Sequence, residues 1–456
     1  MNESIFHEYD IRGIYPQELS DHDAYIMGLS YGSYIQKNFQ ASACIVGQDN
    51  RKSSPILAQN LIRGLLETGI DVIFLGVCTT PMFSYATIKL DNAFGIMITA
   101  SHNPKEYNGF KFTFDKLGFA RGQMIRDFLQ FTKKQEFLKG AGEKKEVNIF
   151  PYYKSFIKEN INLGKKKIKV VVDPGNGTAS LFAKDIMESF ETLEVIMIND
   201  ISDANFPNHH PDPNVAANLK QLQDKVKETK ADIGIAYDGD ADRLGVIDEN
   251  GEIVSSEYIM VLAIREMMKL DGNKTFLYDV KCSKVIKDEI LRLGGTPLEY
   301  KTGASYTRAK TNELSLLFGG EYSGHFFYND KWLGFDCGIY NGLRVIEVLS
   351  NNDFPLSQHF NNLNKYVNTE EMKIKINPKN AKDIINSVKM EFVKLNYKLL
   401  DIDGIKVYYD EGWVLLRCSN TTPNLTIRME ADTKENLNKI NNHFMQILYP
   451  YLSINK

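Results

Sequence analysis

The chain has 456 residues, a net charge of -4, and 43% hydrophobic with 25% charged residues. That composition is ordinary for a globular protein, and at roughly 150 residues per domain it predicts about three domains, or four. The small net charge excludes a general nucleic-acid binder but leaves room for a local basic pocket around an anion. The five cysteines (Cys44, Cys78, Cys282, Cys337, Cys418) form no C-x-x-C. Their odd count and wide spacing argue against a zinc knuckle or a disulfide frame and suit a reducing compartment. The start Met1-Asn2-Glu3-Ser4 lacks a basic, apolar leader pattern, and no apolar run approaches membrane-spanning length. A soluble cytoplasmic protein with no membrane contact is expected.

Phe6-His7-Glu8-Tyr9-Asp10-Ile11-Arg12-Gly13 opens the chain. A lone arginine such as Arg12 is by default a solvated surface charge. Residues 45–51 read as a short strand ending in a turn. Residues 56–67 carry Ile56, Leu57, Leu61, Ile62, Leu65 and Leu66 at a helical period, and 72–77 is again a strand, giving a βαβ unit. The apolar run Phe94-Gly95-Ile96-Met97-Ile98 then feeds the polar Thr99-Ala100-Ser101-His102-Asn103-Pro104. Ser101, leaving a strand end in such a loop, is a nucleophile, a phosphate carrier, or simply part of a turn rich in turn-forming residues. In Tyr107-Asn108-Gly109-Phe110-Lys111, Asn108-Gly109 is a tight-turn signal, after which Lys111 leads Phe112 and Phe114 into a strand.

The charged stretch 133–145 reads as a boundary. A second α/β unit opens with a strand at 167–173 that runs into the Gly-rich turn Pro174-Gly175-Asn176-Gly177, before a helical stretch at 180–190. There is no G-x-G-x-x-G here, so no dinucleotide site is expected. Asn208-His209-His210-Pro211-Asp212-Pro213 has two histidines, but adjacent histidines rarely converge on one ion and zinc-ligand spacing is absent; this is a stiff structural loop.

Ile233-Gly234-Ile235-Ala236-Tyr237 is a strand that ends in Asp238-Gly239-Asp240-Ala241-Asp242-Arg243. In an extended segment, Asp238, Asp240 and Asp242 point to one side and repel one another unless a cation lies between them. Hard oxygen ligands select Mg²⁺ or Ca²⁺. An EF-hand is excluded: Arg243 stands where its sixth-position Gly belongs, although Glu249 falls at the twelfth, and the flanking segments, including 244–247, are strands. With Ser101 or its phosphate as a fourth ligand, Mg²⁺ fits best, and Arg243 lies beside the ion to reach phosphate.

A third α/β unit begins near Glu249, with a helix at 256–269 and a strand at 275–280. Lys301-Thr302-Gly303-Ala304-Ser305-Tyr306-Thr307-Arg308 follows, and then the glycine-bracketed Gly320-Glu321-Tyr322-Ser323-Gly324-His325. If that loop is extended, Glu321, Ser323 and His325 share a side; a carboxylate with a hydroxyl suits a vicinal diol, and His325 could help proton transfer. The last domain starts near Asn368 after the polar break Ser350-Asn351-Asn352-Asp353. In Arg417-Cys418-Ser419-Asn420-Thr421-Thr422-Pro423-Asn424, Arg417 with Ser419, Asn420, Thr421 and backbone N–H groups makes a nest for a phosphate dianion.

Together and in this order, the serine loop, the D-G-D-x-D-R loop, the Gly320–324 loop with its histidine and the arginine loop resemble the α-D-phosphohexomutase family, in its bacterial phosphomannomutase/phosphoglucomutase branch. The opening F-x-x-Y-D-I-R-G, the N-G-F-K after the serine loop and Trp332-Leu333-Gly334-Phe335-Asp336 also match. The resemblance implies three tandem α/β domains with mixed sheets sandwiched by helices, plus a smaller C-terminal α+β domain, all lining one central cleft. The expected limits are 1–145, 146–248, 249–365 and 366–456. It places Arg12 and Lys111 in the active site and Glu321 and Ser323 on sugar hydroxyls. The family commonly has His at Ala304 and Lys at Arg308; Arg308 keeps the charge but presents a planar fork.

The expected activity is interconversion of a hexose 6-phosphate and a hexose 1-phosphate, mannose or glucose, through a phosphorylated Ser101 and a bisphosphorylated sugar. Arg12, Lys111, Arg243 and Mg²⁺ would offset the phosphoserine charge, and Lys111, His102 and His325 are the candidate proton carriers. Activation by a hexose 1,6-bisphosphate is implied by the resemblance alone. The partners expected are small-molecule sugar phosphates, with the protein a monomer or a dimer. A phosphoglucosamine mutase of the same family, which usually shows Gln where Tyr322 stands, and an idle sugar-phosphate binder are the alternatives. An acyl hydrolase built on Ser101-His102 is rejected, because neighbouring side chains diverge and no G-x-S-x-G elbow exists.

Overall fold

The computed structural model describes residues 2–418 and 424–454. Four sheets follow one another along the chain. The first is a seven-stranded mixed sheet. It runs Ile11–Ile14, Tyr107–Asp115, Gly95–Ile98, Ala43–Gln48, Asp71–Val77, Lys144–Glu146, with Gly118–Phe119 beside Tyr107–Asp115. Side chains alternate across it. Cys44, Val46 and Ile98 face the helices Asp21–Phe39 and Ser54–Glu67 in a core of this lobe's own. Ile45 and Met97 face the other way, toward Phe83 on the helix Thr80–Lys89, in a core that continues without a break into the next two lobes.

The second sheet runs Ile253–Val254, Leu244–Ile247, Ile233–Tyr237, Ile168–Asp173, Leu193–Met197. It therefore extends past residue 248, where the third unit was expected to begin. The third runs Thr296–Tyr300, Thr275–Asp279, Phe318–Gly320, Phe326–Tyr328. The helix Gly338–Ser350 belongs to the third unit in sequence but packs on the second sheet, because Gly342 lets Ile235 and Leu244 approach its backbone. The fourth sheet is antiparallel. It runs Val367–Asn368, Asn424–Ala431, Gly412–Cys418, Ile405–Tyr408, Lys398–Leu400, with Met372–Lys375 also on Asn424–Ala431. It packs on the helices Ala381–Lys394 and Lys434–Ile454. No helix among the described residues is long and apolar enough to cross a membrane.

Two local expectations are overturned. Asn108-Gly109 is no turn: both residues lie inside the strand Tyr107–Asp115. The buried Asn108 amide donates to Ser53 and Ser54 Oγ at 2.8 and 3.0 Å, while Gly109 pairs with Arg12 across the sheet. A Cβ at Gly109 would stand inside the Ile11 carbonyl oxygen. Tertiary packing has taken over a pair that favours turns in isolation. The helix expected at 180–190 shrinks to a 3₁₀ turn, Thr178–Leu181, and a short α-helix, Ala183–Met187.

Because the atoms facing Gly109 are backbone, they cannot move aside. Gly109→Ala should lower the unfolding free energy by about 2–3 kcal/mol, read as a shift in urea midpoint. A midpoint equal to the parent's would refute the close approach as the reason for glycine.

Candidate active site

The serine loop leaves the strand Gly95–Ile98 and is held by one side chain. Arg51 is buried and donates to four carbonyls of that loop and its exit: Ser101 and Asn103 at 2.7 Å from Nη2, Pro104 at 2.7 Å and Tyr107 at 3.0 Å from Nη1. Asp49 orients it at 3.2 Å. Ser101 itself has φ 50°, a left-handed conformation uncommon for a residue with a Cβ, and its N–H is taken by Thr99 Oγ1 at 2.9 Å. The loop is thereby over-determined, and the Ser101 hydroxyl is aimed outward.

It is aimed at the second lobe. Ser101 Oγ donates to Asp238 Oδ2 at 2.8 Å and lies 3.2 Å from His102 Nδ1. Asp238, Asp240 and Asp242 are all buried, and one oxygen from each lies within 4.8 Å of the others. They converge because the chain turns, not because it is extended: Ala241 has φ 64°, and Asp238 Oδ1 accepts the N–H groups of Asp242 and Arg243 at 3.1 and 3.2 Å.

The first lobe closes over this turn. Thr80 donates to Asp240 from its backbone at 3.0 Å and its hydroxyl at 2.6 Å, and Lys111 Nζ reaches Asp240 and Asp242 at 2.9 and 2.7 Å. Asp240 Oδ1 is buried with no hydrogen-bond partner among the described residues. A buried, unmet carboxylate oxygen in a hard-oxygen donor set with a serine hydroxyl fits a divalent cation such as Mg²⁺.

The charges sort by environment. Burial, with Asp242 and Asp240 nearby, pushes Asp238 well above the usual carboxylate range. Burial would do the same to Asp242, but Lys111 and His325 outweigh it and hold Asp242 well below that range. Lys111 is raised, its burial overcome by Asp240 and Asp242. His102 is pushed well below its ordinary value by burial, then by Arg243 and Arg12, so its imidazole is neutral. For His325 burial is overcome by Asp242, 3.2 Å away, and the ring is raised to about 10.

Arg12 donates to Asn103 Oδ1 at 2.6 Å and to Asp10 Oδ2 at 2.5 Å, at the exit of the serine loop. Arg243 lies 3.8 Å from Asp238 and 3.7 Å from Asp212. In the third lobe, Glu321, Ser323 and His325 do meet, but through the hairpin between Phe318–Gly320 and Phe326–Tyr328 rather than by alternation. Ser323 Oγ is 3.2 Å from Glu321 Oε2 and 2.9 Å from His325 Nδ1. Glu321 Oε1 accepts from Gly303 N at 2.6 Å and Thr307 Oγ1 at 2.9 Å, at the start of the helix Ala304–Glu313. In the fourth lobe Arg417 is buried, its Nε on Asp403 at 3.0 Å, with Nη2 unmet among the described residues. Burial disfavours its charged form, Asp403 outweighs that, and Tyr9 and Asp279 act in the same direction as Asp403. Ser419, Asn420 and Thr421 lie outside the described residues.

Arg308 is the candidate that does not join the group. It runs along the buried side of its helix, donates to Ser84 Oγ at 3.0 Å, and lies 5.8 Å from the Phe119 and Phe335 rings. Gly118, lacking a Cβ, leaves room for its stem. It joins the third lobe to the first instead of facing the Glu321 turn. The sequence reading also missed residues that the fold brings in. Arg51 clamps the serine loop, Tyr9 is half-buried with its phenol raised by burial and by Asp10 and also felt by Arg12, Glu321 and Arg243, and Asp336 is 3.9 Å from His325. Asp212 comes from the loop read as merely structural, in which His209 bonds Asp173 at 3.0 Å. Tyr9 and Asp336 fall inside the opening and Trp332–Asp336 stretches that match the family but were given no role there, and no local pattern marks Arg51 or Asp212.

Comparison with known proteins agrees with this arrangement. Four family models match, described as the α/β/α domains I, II and III and the C-terminal domain of phosphoglucomutase/phosphomannomutase, over residues 3–138, 151–251, 255–366 and 366–447. The chain is 37% identical over 442 residues to a phosphomannomutase/phosphoglucomutase of Pseudomonas aeruginosa, covering 97% of this chain and 94% of that one. It is 35% identical to a phosphoglucomutase of Neisseria gonorrhoeae, covering 97% and 96%. Among solved structures, a phosphoglucomutase/phosphomannomutase family protein of Burkholderia thailandensis superposes with a TM-score of 0.91 at 33% identity, covering 99% of this chain and 98% of that one.

The triplet's affinity for an ion is testable without turnover. Asp240→Asn keeps the shape and removes one charge, so Mg²⁺ affinity in calorimetric titration should fall about tenfold or more. An unaltered affinity would place the ion elsewhere.

Proposed function

The chain belongs to the phosphoglucomutase/phosphomannomutase family of phosphoryl-transferring mutases, and we propose that it interconverts the 6- and 1-phosphates of mannose or glucose through a phosphorylated Ser101. The observation that carries this reading is the 2.8 Å contact between Ser101 Oγ on one lobe and Asp238, in the carboxylate turn, on the next. Asp238, Asp240 and Asp242 with Ser101 would hold Mg²⁺, which when bound offsets their charge and polarises phosphoryl oxygens. The phosphoserine adds roughly -1.5 to -2 charge, which Arg12, Lys111 and Arg243 would offset.

In the forward direction a free hydroxyl of the sugar phosphate attacks the phosphorus, the bond from phosphorus to Ser101 Oγ breaks, and a bisphosphorylated sugar forms. The neutral His102, 3.2 Å from Ser101 Oγ, takes the proton of the attacking hydroxyl and passes it to Ser101 Oγ as that oxygen leaves. Lys111 and His325, cationic in their surroundings, stabilise the transferring group. The sugar then turns end for end, Ser101 Oγ attacks the phosphorus of the other phosphoryl group, its bond to the sugar oxygen breaks, and the Ser101 proton passes through His102 to that sugar oxygen. Glu321 and Ser323 grip sugar hydroxyls, and Arg417 with Ser419, Asn420 and Thr421 holds whichever phosphate is not reacting. A hexose 1,6-bisphosphate, being the intermediate itself, restores enzyme that has lost its phosphoryl group. Five unpaired cysteines favour a cytoplasmic setting.

Ser101→Ala removes the carrier and leaves the fold. Turnover of mannose 1-phosphate and glucose 1-phosphate in a coupled assay should drop by about three orders of magnitude or more, and intact mass should show no phosphoryl adduct. Near-normal turnover would refute the phosphoserine.

A further inference from the structure

The buried cation that the reaction scheme leaves unused is Arg428. It lies on the strand Asn424–Ala431 with its side chain only 4% exposed. Burying a guanidinium is costly unless its N–H groups are met. Here Nη2 reaches Glu257 Oε1 at 3.3 Å and Asn368 Oδ1 at 3.5 Å, while Nε and Nη1 have no hydrogen-bond partner among the described residues. Its intimate neighbour is an aromatic face: Arg428 Cζ is 3.7 Å from the centre of the Tyr322 ring. Planar guanidinium on an aromatic ring is the geometry that arginine satisfies and lysine does not.

Each partner adjoins a part of the substrate site. Tyr322 sits between Glu321 and Ser323, the pair read as gripping sugar hydroxyls, and its N–H is on Asp279 at 3.3 Å. Arg428 stands opposite Leu415 in the strand register, and Arg417 stands opposite Thr426. Leu415 and Arg417 are two residues apart on one strand, so Arg428 and Arg417 leave the same face of the sheet, one pleat apart. The stack therefore links the strand paired with the one that carries Arg417 to the turn that contains Glu321 and Ser323, across the boundary between two lobes. A second link runs through Asp403, which holds Arg417 Nε at 3.0 Å and Thr302 N at 3.1 Å.

We propose that Arg428 is a positioning residue: through its stack on Tyr322 it fixes the spacing between the phosphate seat on the last lobe and the hydroxyl-reading turn on the third. It touches no reacting atom, so its loss falls on substrate capture. The inference rests on the mutase reading above.

The experiment is steady-state kinetics with glucose 1-phosphate on the full-length parent, Arg428→Ala, Arg428→Lys, Tyr322→Ala, Tyr322→Phe and the Arg428→Ala/Tyr322→Ala double variant. Each alanine variant should raise KM about tenfold with kcat within about threefold of the parent. The double variant should be no worse than the weaker single, because both remove one contact. Arg428→Lys should stay close to Arg428→Ala, and Tyr322→Phe, which keeps the ring, should lie nearer the parent than Tyr322→Ala does. Multiplicative effects in the double variant, full rescue by lysine, or a fall in kcat at constant KM would overturn the proposal. If an alanine variant fails to fold, Arg428→Lys with Tyr322→Phe still separates a stacked ring from a mere charge. Turnover by the parent in the same assay keeps the two readings distinct: a silent parent sinks the mutase, an active parent with unmoved variants sinks only the positioning role.

Discussion

Three carboxylates held within 4.8 Å of one another, all buried, are the constraint from which the rest follows. Two like charges about 4 Å apart repel by about 4 kcal/mol at an effective dielectric of about 20. That exceeds what exposed ion pairs return. Compensation has to come from groups as buried as the carboxylates, and the turn Asp238–Asp242 does not contain enough of them. Lys111 and Thr80 arrive from the first lobe and His325 from the third. The packing of three lobes around one turn and the electrostatics of the site are one problem, solved by the same contacts. This explains why the core runs unbroken from the first lobe through the third.

The same logic governs the serine loop. A polar loop leaving a buried strand exposes carbonyls that no ladder satisfies. Arg51 gathers four of them, and Gly239 of the second lobe comes so close to the Ser101 carbonyl that no Cβ would fit. With its backbone fixed from both sides, Ser101 can stay at φ 50° without help from a ligand. Strain at one residue is carried by a clamp and a close contact, each contributed by a segment far away in sequence.

That pattern decides what was legible in the sequence. Apolar runs ending in polar clusters gave the strand ends and hence Ser101, the aspartate turn, the Glu321 turn and Arg417, because each functional group sits where a strand stops. Local alternation gave the right residues for the wrong reason at Asp238, Asp240 and Asp242, which a turn brings together. It failed at Asn108-Gly109, where a buried amide and a neighbouring strand override turn preference. Arg308 stands where the family commonly has lysine, and it is directed away from the Glu321 turn by its helix and by the space at Gly118. Arg51 and Asp212 meet the site through partners in other segments, so no window of sequence marks them, while Tyr9 and Asp336 lie in stretches that match the family but show their neighbours only in the fold.

The last lobe is attached differently, and this bears on how one site serves both ends of a sugar. Its apolar contact with the third lobe is small, Val280 against Trp413 and Leu415. Around it lie polar pairs: Lys406 on Glu299 and under the Trp413 ring, Lys281 on Glu371 at 3.0 Å, and Glu430 on the Lys284 N–H at 2.7 Å. A polar interface of this kind can exchange partners at little cost, whereas a dry apolar one must open a void to move. Glu430 Oε2 is unmet among the described residues. The three-lobe core thus keeps the proposed phosphoryl-transfer groups rigid, while the lobe proposed to hold the distal phosphate is fastened by contacts able to readjust. A reaction that presents first one end and then the other of an asymmetric ring to a fixed serine needs that division of stiffness.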